Sequence, residues 1–215
     1  MHSREMLLSL LLLLTTAACA GAMERTWNKV PALVLVAPEN DARIQAAREA
    51  VDFWNRTFSA LGTPFRLGPM MPITAAVPVV VLQDISTRVV GRGEPVDFPE
   101  SVQRLPGDMV LVLSDGDFVS FAARSSSSRK VLIGIRSDRL LPLTLPNAAR
   151  NVITHELGHA IGLGHNDDPT TLMCGRPAPC RLSLFQSQEA RFFPLTDREK
   201  ALLLKMYSPQ WTSEK

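Results

Sequence analysis

The chain has 215 residues, of which 23 are lysine or arginine and 21 are aspartate or glutamate, so its formal net charge is only +2. A nearly neutral chain without a basic block does not have the composition expected of a nucleic-acid-binding protein. Hydrophobic residues make up 46% of the sequence, which is enough for a packed core. Once a leader is removed, we expect residues 23–215 to form one domain and to be monomeric.

The N-terminus has the organisation of an export signal. Arg4 precedes an apolar run at residues 6–14, and small residues follow. The run is too short to span a bilayer, which predicts a signal peptide at residues 1–18. Thr-Ala-Ala-Cys19 resembles the bacterial lipobox and predicts an envelope lipoprotein, attached to the membrane only through a lipid on Cys19. The alternative is ordinary cleavage in the alanine-rich stretch, which would give a secreted or periplasmic protein.

The first elements of the mature chain are a strand and a helix. Residues 31–36 form a short, branched apolar run between prolines, which predicts a buried strand. A helix follows, capped by Asn40 or Asp41 and extending to about Phe58. Its apolar stripe recurs at intervals of three and four residues, at Ile44, Ala47, Val51, Trp54 and Phe58.

The middle of the chain is dominated by strand-like segments. Apolar composition predicts strands at residues 65–67, 77–82, 109–113, 118–123 and 131–135. Residues 91–107 are rich in proline, glycine and charge and predict a surface loop, and the serine run at 125–128 predicts a mobile loop. The order of strand, helix, several strands and helix predicts an α+β fold with a twisted sheet backed by helices.

The next helix, expected to begin near Pro146, carries the sequence His155-Glu-Leu-Gly-His159-Ala-Ile-Gly-Leu-Gly-His165. On a helix, His155 and His159 lie about 40° apart, so both imidazoles can reach one ion. Glu156 lies beside the metal, where it can hold a water bound to the ion. The opposite side carries the residues expected to pack on the sheet, which are Ile153, Leu157, Ala160 and Ile161.

His165 cannot lie on the same unbroken helix as the other two histidines. Six more helical residues would carry it about 9 Å along the axis, too far to share an ion with His159. Gly162, with Gly164 as a second permissive point, can take the left-handed conformation that ends a helix and turns the chain back. Three neutral imidazoles with one open position are what a catalytic zinc ion requires.

The motif, followed by Met173, resembles that of the metzincin zinc metallopeptidases. The spacing between the third histidine and the methionine is most similar to the matrixin branch, and the resemblance covers about residues 145–175. It implies a metzincin-type catalytic domain with a mostly parallel twisted sheet, an active-site helix and a Met-turn. It also implies one Zn²⁺ ion on the three histidines, Glu156 as the general base, and Met173 as the hydrophobic floor below the metal.

The histidine count limits the chemistry further. His2 leaves with the signal peptide, so every histidine of the mature chain belongs to the motif. This argues against the second, structural zinc site of many matrixins and leaves Glu156 to carry the proton. Gly175 stands where some other metzincins place a tyrosine ligand, and the only tyrosine, Tyr207, is expected in the core.

Two cysteines of the mature chain bracket a turn-rich loop. Cys174 and Cys180 are expected to form a disulfide in an exported protein, with two reduced thiols as the alternative. Through the resemblance, this disulfide would brace the segment after Met173, which in the family walls the substrate pocket.

Two further patterns concern calcium and the last helix. Four aspartates invite a calcium interpretation, but their spacing is more typical of turn and capping residues, so calcium is only weakly supported: Asp115, Asp117, Asp167 and Asp168. Thr196 and Glu199 form a capping box in front of the segment Ala201–Tyr207, which predicts a C-terminal helix.

The resulting interpretation is an exported zinc endopeptidase acting on a protein or peptide substrate. Glu156 would take the proton of the attacking water and pass it to the leaving amine. The substrate would lie extended along a sheet edge, formed by residues 118–123 or 131–135. The alternative is a non-catalytic surface protein that keeps the fold. The presence of Glu156 argues against this alternative, because binding a metal requires only the histidines. Hydrolysis of a small non-peptide amide is a third hypothesis.

Overall fold

The fold is built on a five-stranded sheet. The computed structural model describes residues 26–175 and 190–214, so the predicted signal peptide, Cys19 and Cys180 lie outside the described residues and stay predictions. The strands are β1 (Leu33–Val36), β2 (Met71–Pro72), β3 (Met109–Leu113), β4 (Phe121–Arg124) and β5 (Val131–Ile135). Their order across the sheet is β2-β1-β3-β5-β4, and every neighbouring pair is parallel except β4 with β5. The predicted mostly parallel sheet is confirmed.

Helices cover both faces of this sheet. They are α1 (Arg43–Ala60), α2 (Val79–Ser86), α3 (Glu100–Gln103), α4 (Pro146–Ala160) and α5 (Asp197–Met206), and a π-helical turn, Thr87–Gly91, continues α2. Helices α1, α4 and α5 share one core cluster with the sheet, and α2 and α3 share a second cluster with its other face. None of the described helices has both the length and the apolarity needed to cross a membrane.

Helix α1 holds the metal-motif helix α4 against the sheet. The predicted stripe is confirmed, since Ala47, Val51, Trp54 and Phe58 are buried and Ile44 is partly buried against the same core. The Trp54 indole Nε1 donates a hydrogen bond of 2.9 Å to the carbonyl oxygen of Thr154 on α4. The predicted packing face of α4 is also buried, including Ile153 and Leu157. Burial of two apolar faces against each other therefore fixes the position of the motif.

The start of α1 lies within one residue of the prediction. Ala42 is the assigned N-cap, but Asp41 Oδ1 accepts from the backbone N–H of Arg43 at 2.8 Å, as a capping side chain does. The same carboxylate also pairs with the Arg43 guanidinium. The buried Arg43 guanidinium also donates to the carbonyl oxygens of Ser114 at 2.9 Å and Arg136 at 2.7 Å. A buried charge needs such partners, and here they join α1 to the ends of β3 and β5.

The strand predicted at residues 77–82 is wrong, because this segment enters α2. Pro78 is the N-cap residue, and Leu82 and Ile85, three residues apart, are buried against the second cluster. A short apolar run cannot be assigned to strand or helix by periodicity alone. Here one face of the valine-rich run is exposed, with Val80 at 68% relative exposure.

Other predicted boundaries also need correction. Residues 65–67 form no strand, because the backbone of Leu67 is paired with the Asn55 side chain, at 2.8 Å and 3.2 Å. Strand β4 begins at Phe121, three residues later than predicted. The predicted loop at 91–107 contains the short helix α3 and buries Val96, Phe98 and Val102. In the predicted mobile serine run, Ser125 is buried and donates to Asp97 at 2.8 Å.

The C-terminal helix α5 is confirmed, with both hydrogen bonds of the Thr196–Glu199 capping box present. Tyr207 follows α5 and is fully buried, as predicted, with its ring stacked on Phe65 at 3.9 Å between centroids. Its hydroxyl donates a 2.8 Å hydrogen bond to the carbonyl oxygen of Ile161, just beyond α4. The hydroxyl therefore satisfies a carbonyl that the end of α4 leaves without a partner inside the helix.

Replacing Tyr207 with Phe should destabilise the protein while keeping its fold. The substitution leaves the Ile161 carbonyl without this donor, and an unsatisfied buried polar group costs about 1–3 kcal/mol. We therefore expect a lower urea midpoint with an unchanged slope. The measurement is urea unfolding followed by circular dichroism, and equal midpoints for the two proteins would contradict the role given to the hydroxyl.

Candidate metal centre

The three motif histidines converge in the structure. His155 and His159 lie on α4, and His165 follows the turn that ends it. Their Nε2 atoms form a triangle with edges of 3.0 Å (His155–His159), 2.9 Å (His159–His165) and 3.2 Å (His155–His165). Among the residues that the structure describes, this is the only group of histidine, cysteine and acidic side chains close enough to share an ion.

The other ring nitrogens fix the protonation of two of these rings. His155 Nδ1 lies 2.7 Å from the carbonyl oxygen of Leu172, and His159 Nδ1 lies 2.8 Å from that of Leu163. A carbonyl oxygen only accepts hydrogen bonds, so each Nδ1 carries the proton and each neutral Nε2 presents a lone pair. Two lone pairs 3.0 Å apart repel each other unless a cation lies between them.

The donor set fits zinc. Nitrogen ligands about 2.0–2.1 Å from a tetrahedral zinc ion lie about 3.3 Å from one another, slightly wider than the observed triangle. Partial burial lowers the pKa of His165, which favours the neutral ring that a metal requires. Calcium, in contrast, takes oxygen ligands. Of the four aspartates considered for calcium, Asp117 forms a 2.7 Å ion pair with Arg136, and Asp168 accepts from the Thr170 N–H at 2.9 Å. The weakly supported calcium ion stays a prediction.

The turn to the third histidine forms as the sequence predicts. Helix α4 ends at Ala160, and Gly162 has a φ of 109°, a backbone conformation that other residues rarely adopt. Gly175 also lies against His165, and the sequence analysis missed this role. A Cβ atom at Gly175 would lie 2.8 Å from Cγ of the His165 ring.

Replacing Gly175 with Ala should weaken zinc binding. The new methyl group would displace the His165 ring, and groups that orient a ligand typically change metal affinity by about 10-fold or more. The matched control is Gly164→Ala, because a Cβ at Gly164 meets no atom within 4 Å. A competition titration against a chromogenic chelator measures both. Equal affinity in the two variants would show that the Gly175 contact does not constrain His165.

Met173 lies beneath the motif helix. It is fully buried, and its Sδ atom is so close to α4 that a Cβ at Gly158 would approach it to 2.5 Å. The carbonyl oxygen of Met173 accepts a hydrogen bond from the backbone N–H of Asn166 at 2.9 Å. The backbone N–H of Gly175 donates to the carbonyl oxygen of Asn166 at 3.0 Å. The segment around Met173 is therefore paired with the residue that follows the third histidine.

Glu156 is buried and contacts the edge strand β4. Burial raises the pKa of its carboxyl to about 8, and a hydrogen bond from the backbone N–H of Ala122 offsets part of the rise. A dication on the adjacent histidines would favour the carboxylate form. The side chain lines the same cavity as the three histidines.

That cavity is an open cleft of about 750 Å³ along β4. Strand β4 is the edge strand and β5 lies inside the sheet, so the first of the two predicted edges borders the cleft. Helix α4, the π-helical turn and Val119 also line the cleft. The lining includes the apolar residues Pro142, Leu143, Val152 and Phe193.

Two asparagines of α4 hold one wall of this cleft, a feature that the sequence analysis missed. Asn151 donates to the carbonyl oxygen of Arg191 and accepts from the N–H of Phe193, both at 2.8 Å. Asn147 accepts from the N–H of Arg191 at 3.0 Å. The two asparagine side chains therefore form hydrogen bonds with the backbone of residues 191–193 that a neighbouring strand would otherwise form. Their spacing of four residues on the motif helix is the signal that could have indicated a shared partner.

The predicted disulfide cannot be placed, because Cys180 lies outside the described residues. Cys174 is buried and lines the cleft beside Gly175. The pairing of these two cysteines therefore stays a prediction.

This chain resembles known proteins in structure, not in sequence. No family model matches the sequence, and no curated protein matches it significantly. The structure is similar to that of an archaemetzincin from Methanopyrus kandleri, with 18% sequence identity and a TM-score of 0.44, over 81% of this chain and 93% of that chain. The functional assignment that follows therefore rests on the geometry of the site.

Proposed function

We propose that the protein is a zinc-dependent endopeptidase of the metzincin type. One observation carries the proposal: three imidazole Nε2 atoms converge within 3.2 Å of one another beside a buried carboxylate, in an open cleft bordered by an edge strand. His155, His159 and His165 would hold the zinc ion. It would supply Lewis acidity, which acidifies water and polarises a peptide carbonyl.

The protein's own groups would then position the substrate and move the proton. A Glu156 carboxylate oxygen takes the proton of the attacking water and returns it to the leaving amine. The Ala122 N–H hydrogen bond holds that carboxylate beside β4. The edge of β4 offers backbone groups to an extended peptide, and the apolar lining residues, which include Val152 and Phe193, would contact apolar side chains of the substrate.

The test is cleavage of an unfolded protein and of a diverse peptide library by zinc-loaded protein. New termini are identified by mass spectrometry, with and without a chelator. We expect internal cleavages that the chelator abolishes. Zinc-loaded protein that produces no new termini would contradict the proposal and favour the non-catalytic binding protein. Turnover of small acyl amides without peptide cleavage would favour the amide-hydrolase hypothesis.

The finer assignments remain proposals with support from sequence alone. The spacing between His165 and Met173 supports the matrixin branch. The apolar run before Cys19 supports export and lipidation, with secretion or a periplasmic location as the alternative. Mass spectrometry of the mature N-terminus distinguishes a lipidated Cys19 from an unmodified chain that begins a few residues later.

A further inference from the structure

Arg136 lies at one end of the cleft, at a defined distance from Glu156. Strand β4 pairs with β5 so that Ala122 is opposite Ile133. Continued for three residues, this register places Arg136 opposite Val119, and both residues line the cleft. Three strand residues span about 10 Å. The backbone of Arg136 is therefore about three peptide residues along the sheet from the Ala122–Glu156 hydrogen bond, and its side chain lines the cleft.

The backbone of Arg136 is fixed from two sides. Its N–H donates to Ser120 Oγ at 3.2 Å, and its carbonyl oxygen accepts from Arg43 Nη1 at 2.7 Å. Arg43 is itself buried and paired with Asp41 at 2.6 Å. The buried ion pair at the start of α1 therefore helps to hold the backbone of Arg136 in place beside the cleft.

The side chain of Arg136 keeps unused hydrogen-bonding capacity. Its Nη2 contacts Asp117 Oδ1 at 2.7 Å, and the Asp117 side chain is 72% exposed. Its Nε is buried and has no hydrogen-bond partner within residues 26–175 and 190–214. Guanidinium has five donors in a planar fork that matches a carboxylate. The solvated Asp117 engages only part of this fork.

We propose that Arg136 forms a subsite for a carboxylate of the substrate, two or three residues from the cleaved bond. The inference rests on the proposed function, because it requires an extended peptide along β4. Side chains of an extended peptide alternate in direction, so one of them faces the side of the cleft formed by Val119. Of the other lining residues, Val119, Pro142 and Leu143 carry no charge, whereas Glu94 and Arg124 are charged. The carboxylate would come from an acidic side chain or from the peptide's C-terminus.

Short peptides bearing a hydroxamate test this subsite, because the hydroxamate binds zinc and fixes the register without any cleavage. Two series carry the hydroxamate at the N-terminal or the C-terminal end, so both directions along β4 are sampled. Within each series, glutamate is exchanged for glutamine at the second and third positions. In the first series, the C-terminal acid is also exchanged for the amide. We expect one series to show a carboxylate preference of about 10-fold in Kd, and we expect Arg136→Gln to abolish it.

Two further variants separate recognition from a structural role. Asp117→Asn removes the competing carboxylate, so it should increase the carboxylate preference, whereas Arg136→Gln removes the preference. If the Arg136–Asp117 pair were only structural, the two variants would change binding in the same way. Arg104→Gln alters an exposed arginine that does not line the cleft and should leave the carboxylate preference unchanged.

The outcomes are distinct for the two proposals. Zinc content is measured before each titration. Zinc-loaded wild type that binds the hydroxamates but does not distinguish glutamate from glutamine, or acid from amide, would overturn the Arg136 subsite and leave the proposed function standing. Protein that holds no zinc and binds no hydroxamate would overturn the proposed function, and the subsite with it. A preference confined to the acid–amide pair would identify the C-terminus as the source of the carboxylate.

Discussion

Replacing His159 with Ala should release the zinc ion and abolish peptidase activity together. His159 Nε2 is the shared corner of the two shortest edges of the histidine triangle, at 2.9 Å and 3.0 Å. Its removal leaves two imidazoles, fewer than the three protein ligands of known catalytic zinc sites. We expect the zinc content after dialysis to fall from about one ion per chain to near zero. Elemental analysis and cleavage of an unfolded protein, on the same preparation, measure both effects.

A control is needed because the substitution could also disturb the fold. His159 is only partly buried, and its contact with the Leu163 carbonyl lies in the turn after α4. We therefore expect the circular dichroism spectrum of the variant to match that of the wild-type protein without its zinc. A folded His159→Ala protein that keeps one tightly bound zinc would show that the ion is held elsewhere.

Replacing Glu156 with Gln should separate metal binding from catalysis. The three imidazoles remain, so about one zinc ion per chain should stay bound. The amide oxygen can still accept from the Ala122 N–H, but the side chain can no longer take a proton. Loss of a positioned acid–base group typically costs about 10²–10⁴-fold, and we expect a reduction of at least about 10²-fold in kcat/KM.

The comparison of the two variants decides between the enzyme and the non-catalytic alternative. Zinc content and cleavage are measured for wild type, Glu156→Gln and His159→Ala under the same conditions. A Glu156→Gln protein that cleaves as well as wild type would remove Glu156 from the mechanism.

The arrangement of the motif could be predicted because it depends on local geometry. His155 and His159 are one helical turn apart, and the φ of 109° at Gly162 follows from the need to turn the chain back. The Thr196–Glu199 capping box is likewise a short-range pattern with its own hydrogen bonds. Short-range patterns were therefore sufficient to predict that the three histidines converge and that the last helix forms.

Other features could not be predicted because they depend on contacts between distant segments. Arg43 finds its carbonyl partners 71 and 93 residues away, and Asn151 finds Arg191 40 residues away. No local pattern encodes such pairs. The strand predicted at residues 77–82 is wrong for a different reason: its valines favour a strand, but Pro78 begins a helix there. The sequence does not determine which strand lies at the edge, because strand order is a property of the whole sheet.

The most direct test of the central claim is X-ray absorption at the zinc edge of the purified protein. The claim is that three histidines hold zinc and leave one position open for water beside Glu156. We expect three imidazole nitrogens and one further light atom at about 2.0–2.1 Å, with no sulfur. A sulfur ligand at about 2.3 Å would contradict the claim. Cys174 lines the same cleft, and its thiolate on the zinc would close the site and make the ion structural.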